Sequence, residues 1–191
     1  MRERLPIDPM SAPPAEIHAP ILGSRDLVWA DEAACAAMAA AMAAEMVASM
    51  AAEMAAELAG ALSRQPALAD AYIELHGGLG AGKTTFVRHL LRALGVAGRI
   101  KSPTYAVLET YELPGLKVSH FDFYRFGDPR EWVDAGFREL FAAPGLKLAE
   151  WPEHAAGMLP TADLRLYISP QADDSRQVRV EAGTPRGLEL L

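Results

Sequence analysis

A three-layer α/β fold built on a mixed central sheet is what this sequence predicts, and three observations carry the prediction. A loop of the pattern Gly77-x-x-x-x-Gly82-Lys83-Thr84 lies between an apolar run, Ala71 to Leu75, and a helical pattern of Phe86, Val87, Leu90, Leu91 and Leu94. Strand-like and helix-like segments interleave through the rest of the chain. Two strand pairs with short connections, 106–122 and 164–181, predict antiparallel members beside a parallel centre.

The 191 residues suit one domain with extensions. Residues 1–24, rich in proline and alanine, predict a flexible tail. Residues 25–184 form the domain, and 185–191 a C-terminal tail. The net charge of −7 argues against a protein whose main task is to coat nucleic acid. The single cysteine, Cys35, excludes an internal disulfide and reads as core filler in an alanine-rich helix. No run of 18 uncharged, strongly apolar residues suggests a membrane span. The first 25 residues carry charges and prolines and lack the apolar centre of a secretory signal. A cytoplasmic chain with no membrane partner is the expectation.

Taken in order, Arg25 to Trp29 predicts a short edge strand. Asp31 is placed to cap a helix, with Glu32 in its first turn, where the helix dipole favours a negative charge. A long Ala/Met-rich helix, residues 31–63, follows. Met38, Met42, Met46, Met50, Met54, Leu58 and Leu62 recur every four residues among alanines. At full length it would span about 50 Å, against a radius of gyration of about 16 Å for such a domain. It must therefore overhang, bend or break. A four-residue period also winds the apolar stripe around the helix by about 40° per step. Pro66 sets its end. The helix after the loop ends near Gly95, and 101–105 is turn-like. Ala106 to Tyr111 and Lys117 to Asp122 read as strands, Arg130 to Phe141 as one amphipathic helix, and Leu146 to Glu150 as a strand. His154 to Met158 reads as a helical turn. Leu164 to Ile168 and Gln177 to Glu181 are the last strands.

The loop pattern is that of phosphate-binding proteins, so the three-layer fold is P-loop NTPase-like. Its glycines let the backbone close around a phosphate, and its N–H groups and the new helix's N-terminus face the anion. Lys83 would reach the β- and γ-phosphates, and the Thr84 hydroxyl would ligate Mg²⁺. A chance match in a chain of this length is about a one-in-a-hundred event. The dinucleotide pattern G-x-G-x-x-G from Gly78 would need glycine at 83, where lysine stands.

Two carboxylates, Asp122 and Glu150, close apolar runs. If those strands run parallel to Tyr72–His76, both carboxylates arrive at the loop's edge of the sheet. One would then hold the metal and the other orient the attacking water. Either could equally cap the turn after its strand. Ser102-Pro103-Thr104 stands where a γ-phosphate-sensing hydroxyl is often found, or is simply a turn. His120 shares a strand face with Asp122 and reads as a hydrogen-bonded structural residue. Trp151 packs in the core or beside a ligand. Arg88, Arg92, Arg99 and Lys101 read as a solvated face, or as a contact for RNA or a partner.

G-G-L-G-A-G-K-T-T-F, K-S-P-T-Y, H-F-D-F-Y-R and E-W-P-E, in this order and spacing, closely resemble the bacterial TsaE (YjeE) family. The resemblance covers about Asp26 to Ala182. It implies a small P-loop ATPase of tRNA threonylcarbamoyladenosine synthesis. Such an ATPase works with TsaD-like and TsaB-like proteins and drives a step of their reaction, touching tRNA indirectly or transiently. By this resemblance Gly77, Gly78, Leu79, Gly80, Ala81, Gly82, Lys83, Thr84 and Thr85 bind the ATP phosphates. Thr84 and Glu150 hold Mg²⁺, and Asp122 is Walker B-like and a further candidate metal ligand. Thr104 lies in a switch-like loop. Asp31, Glu32, Trp151 and Arg176 lie near the nucleotide. The catalytic set is Lys83, Thr104, Asp122 and Glu150. The chain departs from the family pattern at Gly78, where an acidic residue is common, and in its longer helix and extra N-terminal tail.

Two other readings compete. A small-molecule kinase would share the loop, but no arginine-rich lid insertion is seen. A nucleotide-gated scaffold would bind ATP with little turnover alone. A GTPase of the N-K-x-D type is excluded, because the chain has no asparagine.

Overall fold

The computed structural model describes residues 20–58, 68–128 and 130–191. Strand β1 is Gly23–Trp29, helix α1 Glu32–Leu58, β2 Tyr72–His76 and α2 Lys83–Ala93. The antiparallel pair β3 (Leu108–Leu113) and β4 (Leu116–Asp122) follows, then helices α3 (Glu131–Asp134) and α4 (Phe137–Ala142). Strands β5 (Leu146–Glu150), β6 (Leu164–Pro170) and β7 (Arg176–Ala182) precede helix α5 (Pro185–Glu189). Among the described residues the strands form one mixed sheet in the order β1-β7-β6-β2-β5-β4-β3. Strands β6, β2, β5 and β4 are mutually parallel, and antiparallel neighbours flank them.

Alternation along the strands sorts side chains into two cores. Ile73, Leu75, Val118, Leu146, Leu148, Leu164 and Leu166 face α1 and α2. Tyr72, Phe121 and Ala149 face the opposite way, onto Trp132 of α3 and Phe137 of α4. The sheet is thus covered on both faces at β2, β5 and β4, giving the three layers.

On α1 the buried residues are Cys35, Ala39, Met42, Ala43 and Met46. Their spacing of three and four is that of one helix face. The four-residue methionine period is therefore only partly the packed stripe: Met38 is half-buried, and two alanines supply close contact instead. Trp29, at the end of β1, stacks on Phe86 of α2 with ring centroids 5.7 Å apart. The helix runs unbroken through its 27 described residues, about 40 Å. Its expected continuation to residue 63, the stop at Pro66 and the tail over 1–19 lie outside the described residues.

Several boundaries differ from expectation. The expected single helix over 130–141 is two, because Gly136 takes φ 70° between α3 and α4, a left-handed geometry that interrupts a helix. Strand β3 starts at Leu108 rather than 106, since Pro103 to Val107 forms a turn closed by the Val107 N–H donating to the Pro103 carbonyl at 2.6 Å. The turn expected at His154 begins at Pro152 as a 3-10 helix. The residues expected as a C-terminal tail include α5, whose N-terminus is capped by Thr184 with Pro185 in the first turn. Arg186 ties α5 to buried Asp163 at 3.2 Å. No helix among the described residues is long and apolar enough to cross a membrane.

Met46→Ala should cost about 2–4 kcal/mol in urea unfolding, because a fully buried side chain leaves a cavity between α1 and the body. Val47→Ala, on the exposed side of the same helix, should stay within about 0.5 kcal/mol. Equal effects of the two substitutions would contradict the packing of α1.

Candidate functional site

The loop leaves β2 at Gly77, whose φ of 137° carries the backbone against the Ile168 carbonyl. A Cβ there would come within 2.4 Å of that oxygen, so only glycine fits. Gly78, Gly80 and Gly82 are different: a Cβ on any of them would meet nothing within 4 Å, so the loop's inner side is open. Helix α2 starts at Lys83 with no side-chain cap on its N-terminus. Its first N–H groups are those that an anion would satisfy.

Parallel register brings the carboxylates to this end of the sheet. Asp122 is paired with Glu150 across β4 and β5, and Glu150 with Leu75 of β2. Both side chains are buried on the α2 side of the sheet. Across the gap, the Thr84 hydroxyl lies 2.9 and 3.0 Å from the two Glu150 carboxylate oxygens. His120, two residues before Asp122 on the same face, places Nε2 2.9 Å from Glu150 Oε1.

Asp122 is held by a different set. Ser102 and Thr104 donate their hydroxyls to Oδ2, Thr104 at 2.7 Å, and the Tyr124 N–H donates to Oδ1 at 3.0 Å. The two hydroxyls are 2.8 Å apart. The Ser-Pro-Thr loop is thereby latched onto the carboxylate, and Val107, with φ 66°, takes a conformation costly for a β-branched residue to complete the turn.

Lys83 is buried, and Nζ donates to the Gly77 carbonyl at 2.5 Å and the Gly78 carbonyl at 3.0 Å. It also lies 3.8 Å from the centroid of the Trp151 ring. Burial pulls its pKa below the usual lysine range, and Glu150, Glu153 and Asp122 oppose that shift. Trp151 reaches this position because its backbone is left-handed, φ 58° and ψ 47°. The strained residue turns the chain sharply after Glu150 and lays the indole against the lysine. Tyr124 packs on Trp151 at 5.0 Å.

Two cavities flank the loop. The first, about 280 Å³, is lined by loop residues Leu79 to Thr85 together with Ser102, Thr104, Asp122, Tyr124, Glu150 and Trp151. The second, about 210 Å³, lies across Gly80, Ala81, Gly82 and Thr85. Its other walls are Trp29, Asp31, Glu32, Cys35 and Arg176. Asp31 accepts from the Ala34 N–H at 2.9 Å as a helix cap, and Glu32 lies 2.9 Å from His89 Nε2. Arg176 Nε donates to the Ala81 carbonyl at 3.4 Å.

The residues that the resemblance assigns to the catalytic, nucleotide and metal site therefore all line one of the two cavities, except Gly77 and Gly78, whose carbonyls hold Lys83; His120, Arg88, Arg92, Arg99 and Lys101 line neither. Sequence reasoning missed Trp29, Cys35 and Tyr124 as cavity walls. For Tyr124 a signal existed, its position two residues after Asp122; for Trp29 and Cys35 only the fold reveals it. Burial pushes the Cys35 thiol up to about 12, with Glu32 adding to the shift.

The donors fit a magnesium nucleotide. Mg²⁺ takes hard oxygen ligands, often only one or two from the protein, and completes its shell with phosphate and water. Thr84 and Glu150 supply such oxygens beside an uncapped helix start. Among the described residues no group of three or more His, Cys, Asp and Glu side chains gathers as a ready-made metal cage.

Comparison with known proteins places these features in context. Residues 33–178 match the family model described as threonylcarbamoyl adenosine biosynthesis protein TsaE. The tRNA threonylcarbamoyladenosine biosynthesis protein TsaE of Haemophilus influenzae is 40% identical over 119 residues, 62% of this chain and 75% of that one. The protein of the same name from Bacillus subtilis is 36% identical over 110 residues, 58% of this chain and 68% of that one. The crystal structure of Bacillus subtilis YdiB superposes with a TM-score of 0.65, covering 88% of this chain and 91% of that one at 23% identity, a likeness of fold.

Cys35 provides a test of the second cavity's wall. At pH 8.5, iodoacetamide should alkylate it at least about 100-fold more slowly in the native protein than in urea, because the thiolate is the nucleophile and burial suppresses it. A native rate rising through pH 8–9 like that of a free thiol would contradict the burial.

Proposed function

The chain belongs to the TsaE family, and from that premise we propose that it is a Mg²⁺-dependent ATPase subunit of the machinery that makes tRNA threonylcarbamoyladenosine. Residues 25–184 are its single ATPase domain. The observation that carries the reading is the Thr84–Glu150 contact at the mouth of the glycine loop. A hydroxyl at the start of a helix and a carboxylate at the end of a neighbouring parallel strand are the protein half of a magnesium-phosphate site.

In this reading the N–H groups of the loop and of the first turn of α2 receive the phosphates. Lys83 exchanges its carbonyl partners, Gly77 and Gly78, for the β- and γ-phosphate oxygens. The exchange is favourable because a buried ammonium gains far more from an anion than from two carbonyls. Thr84 and Glu150 hold Mg²⁺, which when bound neutralises the phosphate charge. Asp122 and Thr104, joined by a hydrogen bond in the same cavity, orient the attacking water. The water oxygen bonds to the γ-phosphorus as the bridging P–O bond to ADP breaks. Trp151 shields the phosphates from solvent. The second cavity, with Asp31, Glu32 and Arg176, takes the remainder of the nucleotide.

TsaD-like and TsaB-like proteins are the partners, and hydrolysis drives a step of the reaction that they catalyse on tRNA. Loop 102–107 couples the two events. Its Ser102 and Thr104 hydroxyls latch it to the Asp122 carboxylate, while the Asp122 N–H donates to the Val107 carbonyl at 2.9 Å, so a γ-phosphate that recruits Thr104 changes the surface offered to a partner.

Hydrolysis by the purified chain should be slow alone and rise when the matching TsaD-like and TsaB-like proteins and tRNA are added. Lys83→Ala should lower kcat/KM for ATP by about 100-fold or more. Unchanged kinetics in that variant would remove the phosphate-loop assignment. Fast turnover only with an added small-molecule acceptor, indifferent to partners, would favour a kinase.

A further inference from the structure

His120 has a role that packing alone does not explain. Its ring is fully buried on β4, two residues before Asp122. Nε2 lies 2.9 Å from Glu150 Oε1, while Nδ1 is buried with no hydrogen-bond partner. A carboxylate can only accept, so Nε2 carries the hydrogen and donates it. A second ring hydrogen on Nδ1 would have no acceptor, which favours the Nε2–H tautomer. Burying a ring nitrogen unpaired costs stability, and a leucine or phenylalanine would fill the same volume without that cost. What the histidine supplies in exchange is its one hydrogen bond, and that bond goes to Glu150.

We propose that His120 is a positioning residue for the divalent-cation site, fixing the Glu150 carboxylate toward Thr84. The terminal torsion of a glutamate is soft, so a carboxylate without a partner would rotate through a broad range. Here Oε1 accepts from His120, and the single Thr84 hydroxyl hydrogen is shared between Oε1 and Oε2. Oε1 is the anchored oxygen, and Oε2 is the one kept open to a cation. The ring is itself held by backbone pairing of β4 with β5, since His120 is in register with Leu148, two residues before Glu150. Sheet register thus sets the donor, and the donor sets the ligand. Partners behind a metal ligand commonly change metal affinity by about 10- to 100-fold when removed.

The inference rests on the reading of Glu150 as a Mg²⁺ ligand, and the test separates the two. Mn²⁺ affinity would be measured by electron paramagnetic resonance in the presence of saturating ADP, and ADP affinity separately in EDTA. His120→Phe keeps the ring without the donor and should weaken Mn²⁺ about ten-fold or more, with ADP binding in EDTA unchanged. His120→Gln, which returns an N–H donor at similar reach, should recover most of the loss. A folded Phe variant that binds Mn²⁺ like the wild type overturns the inference. Glu150→Gln with undiminished Mn²⁺ affinity overturns it together with the reading beneath it. Ring ¹⁵N spectra of the wild type give an answer even if His120→Phe does not fold. The Nε2–H tautomer, with a resonance that shifts when Mg²⁺ joins ADP, supports the role; the Nδ1–H tautomer or an unmoved resonance refutes it.

Discussion

Everything at the candidate site depends on the parallel register of β2, β5 and β4. Because β5 lies between the other two, Glu150 ends beside Leu75, two residues before the glycine loop leaves β2 at Gly77. Asp122 ends beside Glu150. The alternation of a strand then puts His120, Asp122 and Glu150 on the α2 face, where Thr84 begins its helix. Slipping β5 by one residue would turn Glu150 into the aromatic core around Phe121 and Phe137, and the buried carboxylate would lose Thr84 and His120 together. The hydrophobic runs of these strands therefore do more than fill a core. They fix the address of two charged groups that could not otherwise be buried.

The same site is balanced electrostatically around Lys83. The ammonium is buried, faces Glu150, Glu153 and Asp122 at longer range, and is satisfied locally by two backbone carbonyls and an indole face. None of those local partners is an anion. The loop thus holds a charge that a phosphate can claim without breaking a salt bridge, and the loop's open glycines leave space for it. Trp151 contributes through a strained backbone rather than through ordinary packing, a conformation that persists only where its surroundings enforce it.

How far this was legible in the sequence depends on the range of the interaction. The glycine loop, its strand and its helix are local, and their pattern was sufficient. The carboxylates could be located at strand ends, but their meeting depended on a condition that no local pattern contains: the order in which parallel strands assemble. Gly136 shows the limit of periodicity, since one left-handed residue divides a helix whose apolar spacing looked continuous. The α1 methionines show another: Met42 and Met46 are buried as their spacing suggested, yet Ala39 and Ala43 make the close approach, and alanine carries little pattern. Trp29 and Cys35 come to the second cavity only because β1 closes the sheet edge over α1. The left-handed Trp151 had one faint sign, the proline after it, which disfavours a right-handed helical conformation.

Calorimetric titration of ADP with and without Mg²⁺, in the wild type and in Thr84→Val, tests the central claim most directly. The substitution keeps the side chain's shape and removes only the hydroxyl that meets Glu150. The account predicts that Mg²⁺ tightens ADP binding in the wild type, that this gain falls by about ten-fold or more in Thr84→Val, and that Mg²⁺-free binding is nearly unchanged. A Thr84→Val protein that keeps the full Mg²⁺ dependence would contradict the placement of the cation between Thr84 and Glu150.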